Sequence, residues 1–148
     1  MTKAAKDLAV GYQFPSRKKL MTQERMTKYI DYLFSTWQDK LVSSGSNIHT
    51  DDVFAKSQGL PGTVADGMIP TVWFSTYLTE LFGEGYVKGG KLMNKYIKPM
   101  LANDTITMHI RIKERLAEGA AVRYNMDVWC DNQQGETVVV GSASAAVS

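Results

Sequence analysis

The chain has 148 residues but only two histidines and one cysteine, so few positions can carry acid/base or thiol chemistry. One histidine stands in a polar run of Asn47, Ile48, His49, Thr50, Asp51 and Asp52. Further on, Asp66 and Gly67 open an apolar stretch that begins with Met68 and Ile69. An imidazole exchanges protons near neutral pH and serves as a general acid or base. A carboxylate beside a helix N-terminus is stabilised in its charged form. Backbone N–H groups at Gly67 and Met68 would lack intrahelical partners and could hold negative charge on an oxygen. Together these residues suit proton transfer coupled to stabilisation of an oxyanion. Each also has a structural reading: His49 as a loop hydrogen bonder, Asp66 as a helix N-cap, Gly67 as a tight turn.

The other reactive residues point elsewhere. His109 falls in an alternating segment and reads as structural. Cys130 does too, and it reads as a small buried hydrophobe without a nearby histidine or helix N-terminus to activate it. A single cysteine excludes an internal disulfide. Two distant histidines and one cysteine do not make a zinc site of the usual ligand count, and no metal is expected. No Walker-type or dinucleotide glycine pattern is present. The net charge of +2 is too small to imply nucleic acid. Arg17, Lys18 and Lys19 form one basic group, and Lys88, Lys91, Lys95 and Lys98 form another. They read as solvated surface or, for the second group, as a landing site for an anionic cofactor tail such as the phosphates of coenzyme A.

The elements that must position the candidates follow from periodicity. Thr22 can cap a helix over 23–40, where Met26, Tyr29, Ile30, Leu33, Phe34 and Trp37 recur at helical spacing. Residues 42–47 compose a loop. Thr50 and Asp51 can cap a short helix over 52–58, stopped by Gly59. A second long helix opens at Gly67 and ends at 83–85. It is apolar on most of its circumference, which predicts burial nearly all round. Period-two alternation then predicts strands over 92–99, 105–115, 121–130 and 137–147, joined in succession as an antiparallel meander. Residues 12–14 read as a short edge strand stopped by Pro15, and 1–11 as a flexible N-terminus. The layout is α+β, in one domain over 1–148. No apolar run is long enough to span a bilayer, and the N-terminus lacks the apolar block of a signal peptide. A cytoplasmic location is the expectation.

The run from Asn47 to Asp51, followed by Phe54, Ala55 and Gly59 and then Ala65, Asp66, Gly67 and Met68, resembles the MaoC-like family of hot-dog proteins. That family includes the R-specific enoyl-CoA hydratases and reads D-x-N-P-x-H-x-D, then H-G-M at the central helix. Lys95, Tyr96, Ile97, Lys98 and Pro99, followed by Ala102, Asn103, Asp104 and Thr105, are similar to its F-x-x-P-V-x-x-G-D-T stretch. The resemblance covers roughly residues 12 to 147. It implies a hot-dog fold, in which a long central helix packs on a curved antiparallel β-sheet. It departs at the family's catalytic aspartate, where Ser44 stands, and at the histidine of H-G-M, which is Asp66.

The resemblance implies a hydro-lyase, a hydratase or dehydratase acting on an acyl thioester carried by coenzyme A or an acyl carrier, with no separate cofactor. His49 would be the acid/base and Gly67 the oxyanion donor. Ser44 could orient a water, while Asp39, Asp51 and Asp66 are candidates for the carboxylate. The aromatic stripe with Trp73 and Tyr77 reads first as core; in the hot-dog fold one side of this helix, with Met68, could line the acyl pocket, where aromatics would suit a bulky or cyclic group. Two alternatives stay open: other chemistry on the same fold (thioester hydrolysis, elimination or cyclisation), and a catalytically silent subunit of a hetero-oligomer. Hot-dog domains pair edge to edge, so a homodimer or higher homo-oligomer is expected, without nucleic acid or membrane partners.

Overall fold

The computed structural model describes residues 4–38 and 46–148. Among the described residues, nine elements follow one another: β1 (Arg17–Leu20), α1 (Gln23–Gln38), α2 (Asp52–Ser57), α3 (Met68–Phe82), α4 (Glu84–Val87), β2 (Lys91–Tyr96), β3 (Thr105–Glu118), β4 (Ala121–Asp131) and β5 (Thr137–Val147). The alternating second half becomes sheet because every second side chain can be buried beneath a helix. Ile106, Met108, Ile110 and Ile112 of β3 are buried, as are Tyr124, Met126 and Val128 of β4. Register shifts between Ile112 and Glu114, and between Cys130 and Asp131, bend the strands around the helix.

The five strands run antiparallel in the order β1-β3-β4-β5-β2. The meander therefore holds for β3, β4 and β5 but not for β2. That strand lies on the far edge, with Lys91 opposite Ser144 and Tyr96 opposite Val139. Residues 97–104 are a crossing rather than a hairpin. Ile97 N–H bonds Val138 O at one edge, and Asn103 N–H bonds Met21 O at the other. Alternation marks a strand without naming its neighbour.

The edge expected at 12–14 is likewise displaced. Only a single bridge, Gln13 to Arg111, forms there, and the paired strand β1 begins after Pro15. Gly11, at φ 88°, and Pro15 interrupt the ladder on either side. The N-terminus is held from residue 4 onward, against the expectation of fraying. Ala4 N–H bonds Leu81 O, and the buried Tyr124 hydroxyl donates to Ala5 O and accepts from Leu8 N–H.

The central helix α3 buries Phe74, Tyr77, Leu78 and Leu81, the i, i+3, i+4, i+7 face, against the sheet. It is not buried all round. Met68 and Val72 are half exposed, because the sheet covers one side of the helix and the other side is only partly covered. Gly83, at φ 55°, closes α3, and its N–H bonds Thr79 O. The glycine-rich stretch that follows is the short helix α4 rather than a plain loop. No helix among the described residues is long and apolar enough to cross a membrane.

α4 packs on β5 with Gly85 directly against the Ala146 carbonyl, where a Cβ has no room. Gly85→Ala is expected to lower stability by about 1–3 kcal/mol, read as a shift in denaturant midpoint with unchanged slope. An unshifted midpoint would mean that α4 moves off β5 freely.

Candidate active site

The site is built from three backbone segments held side by side by hydrogen bonds, the second and third antiparallel. Asn47 starts the first. Its side-chain oxygen accepts from His49 N–H at 2.8 Å and Thr50 N–H at 3.1 Å, which shapes the turn that presents His49. The second segment is 63–66, where Val64 N–H bonds Ile48 O at 3.0 Å. The third follows β2: Ala65 N–H bonds Met100 O at 2.8 Å, and Ala102 N–H bonds Thr63 O. Gln23, at the start of α1, ties the first two together. Its amide donates to His49 O at 2.9 Å, and its carbonyl accepts from the buried Thr63 hydroxyl at 2.5 Å. Sequence reasoning read Gln23 only as a helix-start residue. Its role depends on contacts 26 and 40 residues away, which periodicity does not register.

His49 Nδ1 lies 2.7 Å from Val64 O. A carbonyl only accepts, so Nδ1 carries the proton of the neutral ring and Nε2 presents a lone pair. That Nε2 is 4.0 Å from Asp66 Oδ2. The other carboxylate oxygen, Oδ1, accepts from Met68 N–H at 2.8 Å. Asp66 therefore bonds the first turn of α3 through one oxygen and faces His49 with the other. The side chains of His49 and Asp66 are 23% and 27% exposed, within reach of solvent. Asp66 also acts on Tyr29: burial first, and then the Asp66 charge and the Tyr96 hydroxyl, raise its phenol above the ordinary range.

Gly67 stands at the mouth of α3, and no acceptor among the described residues takes its N–H. Its φ of −62° is open to any residue. What crowds the position instead is the Tyr96 ring, 2.7 Å from where a Cβ would sit, so a larger residue here needs that ring to move. The Tyr96 hydroxyl in turn lies 2.5 Å from Thr71 Oγ1 on α3. Met68 N–H is already bonded to Asp66, which removes it as an oxyanion donor, although the Met68 side chain stays at the site. An apolar cavity of about 490 Å³ adjoins Asp66 and Gly67, walled by Leu60, Val64, Met68, Tyr96, Ile97 and Met100 among others.

The remaining candidates are placed as follows. Asp51 caps α2 through Phe54 N–H at 2.9 Å. That bond, and the Ser46 hydroxyl, hold its carboxyl below the usual range. Asp39 and Ser44 lie outside the described residues. Tyr77 is buried away from the cavity, donating to Pro15 O at 2.5 Å beneath the Arg17 guanidinium. Trp73 lines a different cleft, beside Lys19 and Arg25. His109 stacks on Trp129 at 4.8 Å on the other face of the sheet. In the lysine series, Lys88 pairs with Glu84 and Lys98 with Glu136, while Lys91 and Lys95 have no ion pair among the described residues. Among the described residues, no group of three or more His, Cys, Asp or Glu side chains is placed to hold a metal ion.

Solved structures of known proteins match across nearly the whole chain. The R-hydratase PhaJ1 from Pseudomonas aeruginosa matches with a TM-score of 0.69 at 19% identity, over 96% of this chain and 88% of that one. A MaoC-like dehydratase from Rhodospirillum rubrum matches at 0.70 and 18%, over 95% and 93%. The ChsH1-ChsH2 complex from Mycobacterium tuberculosis matches at 0.71 and 17%, over 95% and 98%. The chain therefore has the hot-dog fold of the MaoC-like dehydratases and R-hydratases. No protein-family model and no curated protein matches it by sequence.

Cys130 is fully buried on β4, and burial, with Asp131 beside it, pushes its thiol well above the ordinary range. A thiol reagent is expected to leave the native protein unlabelled and to label one site in denaturant. Labelling of native protein at the rate of a free thiol would show that β4 opens.

Proposed function

We propose that the chain is a hydro-lyase of enoyl thioesters, adding water to the double bond or removing it from the β-hydroxy product. The observation that carries this reading is the pair of His49 Nε2 and Asp66 Oδ2, 4.0 Å apart beside the unpartnered Gly67 N–H. Two acceptors at that separation suit one water, which can donate to each at about 2.8 Å and keep its lone pairs for attack. In hydration, Nε2 takes one proton as the oxygen bonds to the β-carbon. The π electrons move toward the thioester carbonyl, and Gly67 N–H holds the resulting enolate oxygen. The α-carbon then takes the proton back from the imidazolium, whose charge Asp66 offsets meanwhile. Dehydration is the reverse. The apolar cavity beside Gly67 suits the acyl chain.

The assay is loss of enoyl-thioester absorbance with short, branched and aromatic enoyl-CoAs. His49→Ala and Asp66→Asn are each expected to lower kcat about 100-fold or more while the protein stays folded. Full turnover in Asp66→Asn would remove Asp66 from the reaction. Absence of turnover on every substrate would sink the hydro-lyase reading.

Assembly belongs to the same proposal. β2 is a sheet edge, and Met93, Tyr96 and Ile97 are exposed along or just beyond it. Such an edge is normally paired or covered. A homodimer built on it is expected, and sedimentation showing a stable monomer would contradict it. A second reading makes the chain one subunit of a hetero-oligomer, favoured by the match to the two-protein ChsH1-ChsH2 complex. Turnover by the isolated chain would overturn it.

A further inference from the structure

The cavity at Gly67 has one wall whose position is set by a hydrogen bond more than by packing. Tyr96 lines it from the end of the edge strand β2, and the residue is 47% exposed. A ring so open to solvent can change rotamer unless its tip is tied. Here the hydroxyl lies 2.5 Å from Thr71 Oγ1, in the first turn of α3. Thr71 Oγ1 donates to Gly67 O at 3.1 Å, so its lone pairs accept from the Tyr96 hydroxyl and from Asn94 Nδ2 at 3.0 Å. Asn94 is seated in the sheet in its turn. It stands opposite Gly141 of β5, where a Cβ would come within 2.6 Å of Asn94 Oδ1. Asn94, Thr71 and Tyr96 thus form a latch from β2 to α3 that holds the ring down against Gly67.

We propose that Tyr96 is a specificity-determining residue, whose latched ring excludes a substituent on the α-carbon and limits the enzyme to acyl groups unbranched there. The proposal rests on the hydro-lyase reading and narrows its substrate class. The ring edge is 2.7 Å from where a Cβ on Gly67 would sit, so no free volume remains on that side of the glycine. A carbonyl oxygen bonded to Gly67 N–H lies about 2.9 Å from that nitrogen. The ring therefore meets the acyl group beside its carbonyl and not at its far end. The chain beyond is met by Leu60, Val64, Ile97 and Met100, apolar walls without such a latch. A methyl group that a packed wall rejects costs about tenfold or more in kcat/KM, and the cost falls as the wall is loosened.

The test is the ratio of kcat/KM for crotonyl-CoA to that for 2-methylcrotonyl-CoA, compared between wild type and variants so that intrinsic reactivity cancels. In Tyr96→Ala the ratio is expected to fall by about tenfold or more. The conservative variants Tyr96→Phe and Thr71→Val keep a ring but cut the latch, and a smaller fall in the same direction is expected. An unchanged ratio in Tyr96→Ala overturns the wall, and a wild-type ratio in both conservative variants overturns the latch. Calorimetric binding of butanoyl-CoA and its isomer 2-methylpropanoyl-CoA reads the same preference without turnover. A binding preference that relaxes in Tyr96→Ala, with no turnover of any enoyl ester, upholds the wall and rejects the hydro-lyase reading. Turnover with an unchanged ratio does the reverse, so the two failures are distinguishable. Neither binding nor turnover of any ester overturns both.

Discussion

The site depends on a four-residue backbone segment, 63–66, held from both sides. Val64 bonds Ile48 on one flank, while Ala65 and Thr63 bond Met100 and Ala102 on the other. The Val64 carbonyl then fixes the imidazole of His49. This clamp converts distance in sequence into rigid proximity. It sets which imidazole nitrogen is basic, and it delivers Asp66 and Gly67 to the start of α3 in a fixed orientation. A buried amide–carbonyl bond is worth about 1 kcal/mol net, while an unmade one costs more. The clamp therefore resists the small displacements that would separate an acid/base pair.

Much of this was legible in the sequence, for identifiable reasons. Strands β3 to β5 declare themselves because each has one face in the core and one outside, so hydrophobicity alternates residue by residue. α1 declares itself through its apolar spacing and the Thr22 cap, which does accept from Arg25 N–H. His49, Asp66 and Gly67 stood out as a set through the run that resembles the MaoC-like motif, although each also had a structural reading, and the fold brings the three together. What sequence could not give was pairing across distance: that β2 crosses to β5, that Gln23 bridges His49 and Thr63, that Met68 N–H is consumed by Asp66. Tyr77 and Trp73 illustrate the same limit. Helical spacing assigns them to one aromatic stripe, yet α3 turns Tyr77 into the core and Trp73 toward charge.

α3 is asymmetric in a way that organises the molecule. Its sheet-facing side supplies the packing that any globular domain needs. Its opposite side, with Met68, Val72 and Trp73, is left to the two recesses. A helix so apolar overall, yet only partly covered on one side, leaves unspent hydrophobic surface that a ligand or a second subunit can bury. Stability and recognition are thus divided between two faces of one element.

The contact of Gly67 with the Tyr96 ring carries an implication for how such a sequence can drift. The two positions are far apart in the chain, yet they share one volume at the head of α3. A side chain can grow at 67 only if the aromatic at 96 shrinks or swings away, and that change would also release the hydroxyl held near Thr71. The pair should therefore evolve as a linked character. Among descendants of this sequence, a non-glycine at 67 is expected to travel with a smaller residue at 96, and two changes harmful singly would be tolerable together.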